Sequence, residues 1–176
     1  MDILRDNLTR VLYATDASAY REIPYGVCFP AGIEDIRLAI SVAGANGISL
    51  IPRTAGTSIA GQVVGSGLVA DVSKYMSRIL EVNKVEHWAR VQPGVVLDKL
   101  NLELAKFNLF FGPETSTSNR CCIGGMVGNN SSGSHSLVYG TTRANLLEAK
   151  VVLGDGTLAV FSKERAAEVI GRIKAK

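Results

Sequence analysis

Gly56, Thr57, Ser58 and Gly61 lie within "PRTAGTSIAG", residues 52–61. The stretch is too rich in glycine and hydroxyls for a core strand and too poor in charge for an ordinary surface loop. A second stretch of the same kind runs from 112 to 140, "GPETSTSNRCCIGGMVGNNSSGSHSLVYG". Glycine lets successive backbone N–H groups converge on an anion, and Ser and Thr hydroxyls add donors without bulk. A diphosphate is a natural target for that chemistry. Loops longer than about 12–15 residues without structure of their own are usually functional or disordered. Ile123, Met126, Val127, Leu137 and Val138 interleave the second loop, which argues against disorder.

Other chemistries fit less well. No G-x-x-x-x-G-K-[ST] occurs, which excludes a P-loop. "GSGLVA" at 65–70 has the letters of a dinucleotide fingerprint, but it leads into the strand-like "LVADVS" instead of opening a helix. His87 and His135 are far apart and no C-x-x-C exists, so no metal site is expected. There is no G-x-S-x-G elbow. His135 lies among serines, but no carboxylate stands near it in sequence to complete a nucleophilic set. Cys121 and Cys122 read as packing residues.

The elements that must position the two loops alternate between helix and strand. Residues 1–23 are polar and helix-prone and read as an arm. "IEDIRLAISVAGANG" places Ile33, Ile36, Ala39, Ile40 and Ala43 at helical spacing, with Glu34 and Asp35 at the start and Gly47 at the stop. "ISLIP" and "LVADVS" read as strands flanking the first loop, and "ILEVN" with "HWARVQPG" as a strand pair. "VLDKLNLELAKFN" is a second amphipathic helix through Leu97, Leu100 and Leu104, with Asn108 as its cap. "VVLGDGTLAVF" reads as a hairpin around Gly154-Asp155-Gly156, and the tail from Ser162 as a capped helix. Mixed α and β segments make the class α/β or α+β.

Composition bounds the rest. The chain has 176 residues, of which 47% are hydrophobic, enough for one domain or two small subdomains with a real core. The net charge of +3 is mild and the Lys and Arg are scattered, so nucleic acid is not an expected partner. The charged N-terminus does not read as a secretory signal, and no apolar run approaches about 18 residues. Three cysteines without framework spacing favour a reducing, cytoplasmic setting.

"PRTAGTSIAG", "GLVADVSKYM", "VQPGVVLDKL", "CCIGGMVGNNSSG" and "YGTTRANLLEAKVVLGDG" occur in that order. Together they resemble the FAD-binding domain of the FAD-linked oxidase family, the vanillyl-alcohol-oxidase or PCMH-type flavoproteins. The closer resemblance is to the branch of D-lactate dehydrogenase and the glycolate oxidase FAD subunit, over roughly residues 24–160. The resemblance implies that Pro52, Arg53, Thr54, Ala55, Gly56, Thr57, Ser58 and Gly61 wrap the FAD diphosphate. Relatives carry P-R-G-G-G-T-S-x-x-G, so Thr54 and Ala55 stand where two glycines are usual. Along the second loop it implies cofactor contacts from Ser118, Cys122, Gly124, Gly125, Asn129, Ser132, Gly133 and Tyr139. Some relatives attach flavin through a His in the first loop; none lies between 52 and 67, so noncovalent FAD is implied.

The resemblance implies an α+β fold of two subdomains, with FAD between them: an arm at 1–23, a first subdomain at 24–90 and a second, incomplete one at 91–176. The implied reaction of a longer parent is oxidation of a 2-hydroxy acid, D-lactate or glycolate in type, by hydride transfer to FAD, with electrons leaving to a separate acceptor. A noncatalytic flavin or nucleotide module of an electron-transfer complex, or an enolpyruvyl-reductase-like flavoenzyme, are the alternatives. The family's further glycine-rich strand and its cap domain are expected to come later in the parent, with the catalytic residues there. The 176 residues alone are expected to be inactive, to hold flavin weakly, and to expose a sheet edge open to self-association.

Overall fold

The structure is a computed structural model and describes residues 1–162. Strand β1 (Ile3–Leu4), helix α1 (Asn7–Leu12), strand β2 (Gly26–Cys28), helix α2 (Ile33–Ala45) and strands β3 (Leu50–Arg53) and β4 (Leu68–Asp71) come first. They build a four-stranded sheet of order β1-β2-β4-β3. β2 and β3 run parallel to β4, and β1 is antiparallel to β2. Central β4, "LVAD", is buried along its whole length. β3 is an edge strand, which is where Pro52, lacking an N–H, can be tolerated.

Residues 1–23 do carry a helix, α1, capped by the Asp6 carboxylate accepting from Thr9 N at 2.9 Å. Ile3 and Leu4 pair with Cys28 and Val27 in the sheet. α2 ends as its sequence requires: Asn46 caps it and Gly47 takes φ +63°. Its buried Ala39 packs with Cys28, Leu68 and Ala70, with Ile3, Val42 and Leu50 around them.

The second half holds β5 (Ile79–Asn83), β6 (Trp88–Val91), α3 (Leu97–Ala105), α4 (Ile123–Asn129), α5 (Ser136–Tyr139), β7 (Glu148–Val152) and β8 (Leu158–Ser162). β5–β6 and β7–β8 are antiparallel pairs. α3 buries Leu97, Leu100 and Leu104, the residues its periodicity marks. A separate group of buried side chains forms here around Val95, Leu100 and Leu104, taking in Ile79 and Val82 of β5 and Ala89 and Val91 of β6. The β5–β6 hairpin thus packs with α3 and the residues around it. Past the end of α3, Asn108 takes φ +57°. In the β7–β8 turn the positive φ, +81°, falls on Gly156. The helix expected from Ser162 lies outside the described residues.

One expectation is corrected by the fold. Residues 112–140 are not without secondary structure, since α4 and α5 lie inside them. Three glycines in "IGGMVGN" hide the helix, each disfavouring it by roughly 1 kcal/mol relative to Ala. Tertiary bonds hold it: Ile123 N donates to Val95 O at 2.9 Å and Gly124 N to Pro93 O at 2.8 Å.

Candidate functional site

The first loop, residues 54–67, is the whole crossover between parallel β3 and β4. Such crossovers usually contain a helix; this one contains none. Its shape depends on Gly56 and Gly61, at φ +65° and +73°. The only other residues with positive φ in the described chain, apart from glycines, are His87, Asn108 and Asn130. Thr54 and Ala55 are not among them. Neither position demands glycine conformationally, so the departure from the family pattern costs the loop nothing in backbone strain.

Pro52 and Arg53 close β3, and Thr54 and Ala55 face the second loop. A Cβ on Gly125 would lie 2.8 Å from Thr54 Oγ1, so α4 can approach only because that residue is glycine. Gly124 is needed equally against Pro93, whose Cβ would be 2.5 Å away. Cys122, buried at the start of α4, donates from its sulfur to Arg120 O at 3.6 Å, and the neighbouring Ala55 N–H and Thr54 side chain favour its thiolate against the larger effect of burial. The two glycine-rich segments therefore meet at a seam of Thr54 and Ala55 with Cys122 and Gly125. Beyond the seam, the N–H groups of Gly56, Thr57 and Ser58 donate to no acceptor among the described residues. Successive free N–H groups around a positive-φ glycine form an anion-binding concavity. That cradle fits a diphosphate.

The remaining expected residues spread along the second loop. Ser118 spends its carbonyl on Asp98 N at the start of α3. Asn129 ends α4 and Ser132 comes shortly after it, both exposed. Gly133 lies against the Glu114 carbonyl, where a Cβ would clash. Tyr139 is 42% exposed and stacks edge-on to Phe110 at 5.1 Å. A depression of about 520 Å³ between β5 and α3, lined by Ile79, Val95, Lys99 and Phe107 among others, involves neither glycine loop.

Sequence reasoning missed several contributors. Residues 13–22 fold against the first loop, and Asp16 Oδ2 among them is buried without a donor in the described structure. Asp71, 6% exposed, accepts from Tyr13 Oη at 2.7 Å, Ser73 Oγ at 2.6 Å and Ser73 N at 2.8 Å. Burial and that bond to Asp71 raise the Tyr13 phenol, which stays a protonated donor. Only "ATDAS", whose Asp16 Oδ1 accepts from Ser18 N in a side-chain turn, hinted at order here.

His135 does have a carboxylate beside it: its Nδ1 lies 2.8 Å from Glu114 Oε1. Ser134 Oγ donates to that same oxygen at 2.8 Å, not to the imidazole. A nucleophile must reach its base, so this is a loop clasp and not a triad. The Ser134 bond first, with His135 adding, holds the Glu114 carboxyl below its ordinary 4.5, against a smaller effect of desolvation. The folded value is the lower one, so the clasp contributes fully above pH 4.5 and is lost as pH falls through the folded value. The amide signals of Gly133 and Ser134 are expected to shift in acid, with a midpoint under 4.5, and Glu114→Gln removes that step. Signals flat with pH in the unaltered chain contradict the clasp.

Against known proteins, the FAD binding domain family matches residues 24–162. The chain belongs to that family. It is 39% identical over 177 residues to D-2-hydroxyglutarate dehydrogenase of Haemophilus influenzae, an alignment covering 99% of this chain and 17% of that protein. It is 32% identical to the glycolate oxidase subunit GlcD of Bacillus subtilis, covering 94% of this chain and 36% of that one. The FAD-binding domain thus spans well under two thirds of these relatives. In fold it is similar to 6-hydroxy-D-nicotine oxidase from Arthrobacter nicotinovorans, with a TM-score of 0.82, 21% identity, and coverage of 96% of this chain and 37% of that one. The PCMH-type fold expected from the sequence motifs is the fold observed.

The domain's thiols are all free and buried. Burial pushes Cys28 up to about 11, with the Asp35 charge adding to it, and burial likewise raises Cys122. At neutral pH both stay protonated and poorly nucleophilic. Alkylation of the native domain is expected to be slow at Cys28 and Cys122 and fast once denaturant is added. Rapid labelling of the native chain at either position, read by peptide mass, contradicts their placement.

Proposed function

We propose that this domain is the FAD-binding portion of a flavin-dependent oxidoreductase that oxidises a 2-hydroxy acid of D-2-hydroxyglutarate, glycolate or D-lactate type. What carries the cofactor assignment is the cradle of Gly56, Thr57 and Ser58 N–H groups beside the seam of the two glycine loops. The diphosphate is held by these groups, with Thr54 and Ala55 setting the spacing to Cys122 and Gly125. Bound FAD supplies the hydride acceptor for the substrate α-carbon; the domain supplies position and electrostatics. The names of the relatives support the substrate class.

Attachment is noncovalent. No His lies in residues 54–67, and Cys122 is buried with a raised pKa. The electrons then pass to a separate acceptor. Three free buried thiols favour a reducing compartment, the cytoplasm.

The test is spectroscopic. The longer parent protein, reconstituted with FAD, is mixed anaerobically with D-2-hydroxyglutarate, glycolate and D-lactate in turn. Bleaching of the flavin band by at least one of them, and full release of FAD on acid denaturation, are expected. A flavin left oxidised by all three supports a noncatalytic module, and flavin that stays with the denatured chain refutes noncovalent binding.

A further inference from the structure

Residues 13–22 precede the segment matched by the family, yet they are built onto the diphosphate loop. The segment closes on itself, with Thr15 bridged to Arg21 and Glu22 N donating to Ala14 O at 2.9 Å. Ala14 is fully buried. Three contacts join it to the loop. Ala17 N donates to Gly56 O at 3.1 Å. Arg53 Nη1 donates to Thr15 O at 2.8 Å, with Tyr13 O at 3.4 Å. Tyr20 covers Gly61, where a Cβ would come within 2.7 Å of its ring.

The first of these contacts has a geometric consequence. In a trans peptide the C=O and the following N–H point in opposite directions. With Gly56 O held by Ala17, the Thr57 N–H must face away from residues 13–22, on the side open to a ligand. The Arg53 guanidinium, meanwhile, lies beneath Gly56, where a Cβ would meet it. It stacks on the Tyr13 ring at 5.1 Å, and its Nη1 donates to main-chain carbonyls. The loop itself, residues 54–67, contains no Lys or Arg.

We propose that residues 13–22 are a strap that fixes the loop in its anion-binding conformation, and that Arg53 and Ala17 are positioning residues which aim the Thr57 N–H without touching phosphate. This rests on the reading of residues 56–58 as the diphosphate cradle. If the strap holds the loop, loosening it lowers the fraction of competent loop and weakens apparent affinity in proportion.

The test uses the full chain and ADP as the probe, by calorimetry at two salt concentrations, with folding checked by circular dichroism. Arg53→Met and Ala17→Pro are expected to weaken ADP about tenfold or more. Arg53→Lys, which keeps one donor for Thr15 O, recovers part of the loss. Arg37→Met removes a comparable guanidinium bond, to Gly156 O at 3.0 Å, outside both the strap and the loop; it lowers the melting temperature but keeps ADP affinity. The salt dependence of binding is the same in wild type and Arg53→Met, because no phosphate contact is lost. ADP affinity unchanged in folded Arg53→Met, an equal loss in Arg37→Met, or a reduced salt slope in Arg53→Met each overturns the strap. Wild-type chain that binds no ADP overturns the cradle itself, and the strap with it.

Discussion

Gly56→Val is expected to abolish diphosphate binding while the domain stays folded. Gly56 sits at φ +65°, a region closed in practice to β-branched residues. A Cβ there would also drive into the Arg53 guanidinium. Holding the native conformation costs about 1–3 kcal/mol of backbone strain. The escape is rotation of the peptide, which turns the Thr57 N–H out of the cradle. Either route forfeits much of two hydrogen bonds to a charged group, each contributing roughly 1.5–3 kcal/mol. A total near 3–5 kcal/mol corresponds to a loss of about 10²–10³-fold or more in affinity. The fold is spared because Gly56 belongs to none of the groups of core side chains. Calorimetry with ADP and FAD, beside circular dichroism, reads the outcome. A folded variant with wild-type affinity for both ligands would sink the assignment of the loop.

Asp71→Ala is the largest expected loss of stability outside the apolar core. One carboxylate, 6% exposed, collects the Tyr13 hydroxyl and both donors of Ser73. Its removal strands a half-buried phenol, and unmade bonds of this kind cost about 1–3 kcal/mol each. A net loss of about 3 kcal/mol is expected in urea unfolding. Tyr13→Phe leaves both Ser73 bonds in place and is expected to cost about 1 kcal/mol. A loss in Asp71→Ala no larger than that in Tyr13→Phe shows that the network adds nothing beyond the single bond.

Periodic elements were legible in the residues themselves. Leu97, Leu100 and Leu104 recur at helical spacing and are the side chains α3 buries. "LVAD" is apolar along nearly its whole length because β4 is central and covered on both faces. The first glycine segment was legible as a loop, because its glycines and hydroxyls suit neither helix nor core strand. α4 was not legible, since its glycines oppose a helix locally and serve contacts with Pro93 and Thr54 that no window of sequence contains. The same holds for Arg53. Its guanidinium reaches back to Thr15. A donor that pairs with main-chain carbonyls leaves no trace in the identity of the residues supplying them. The clasp of Glu114 and His135 was hidden likewise by distance along the chain.

The most direct measurement of the central claim is an amide NMR titration of the chain with ADP, with riboflavin as the comparison. Riboflavin carries the ring without phosphate, and ADP the diphosphate without the ring. The cradle predicts that ADP shifts the Gly56, Thr57 and Ser58 amides most strongly and downfield, as N–H groups do on donating to an anion, while riboflavin leaves these three in place. Shifts centred elsewhere, or amides at 56–58 that do not respond to saturating ADP, would contradict the assignment of this loop to the diphosphate of FAD.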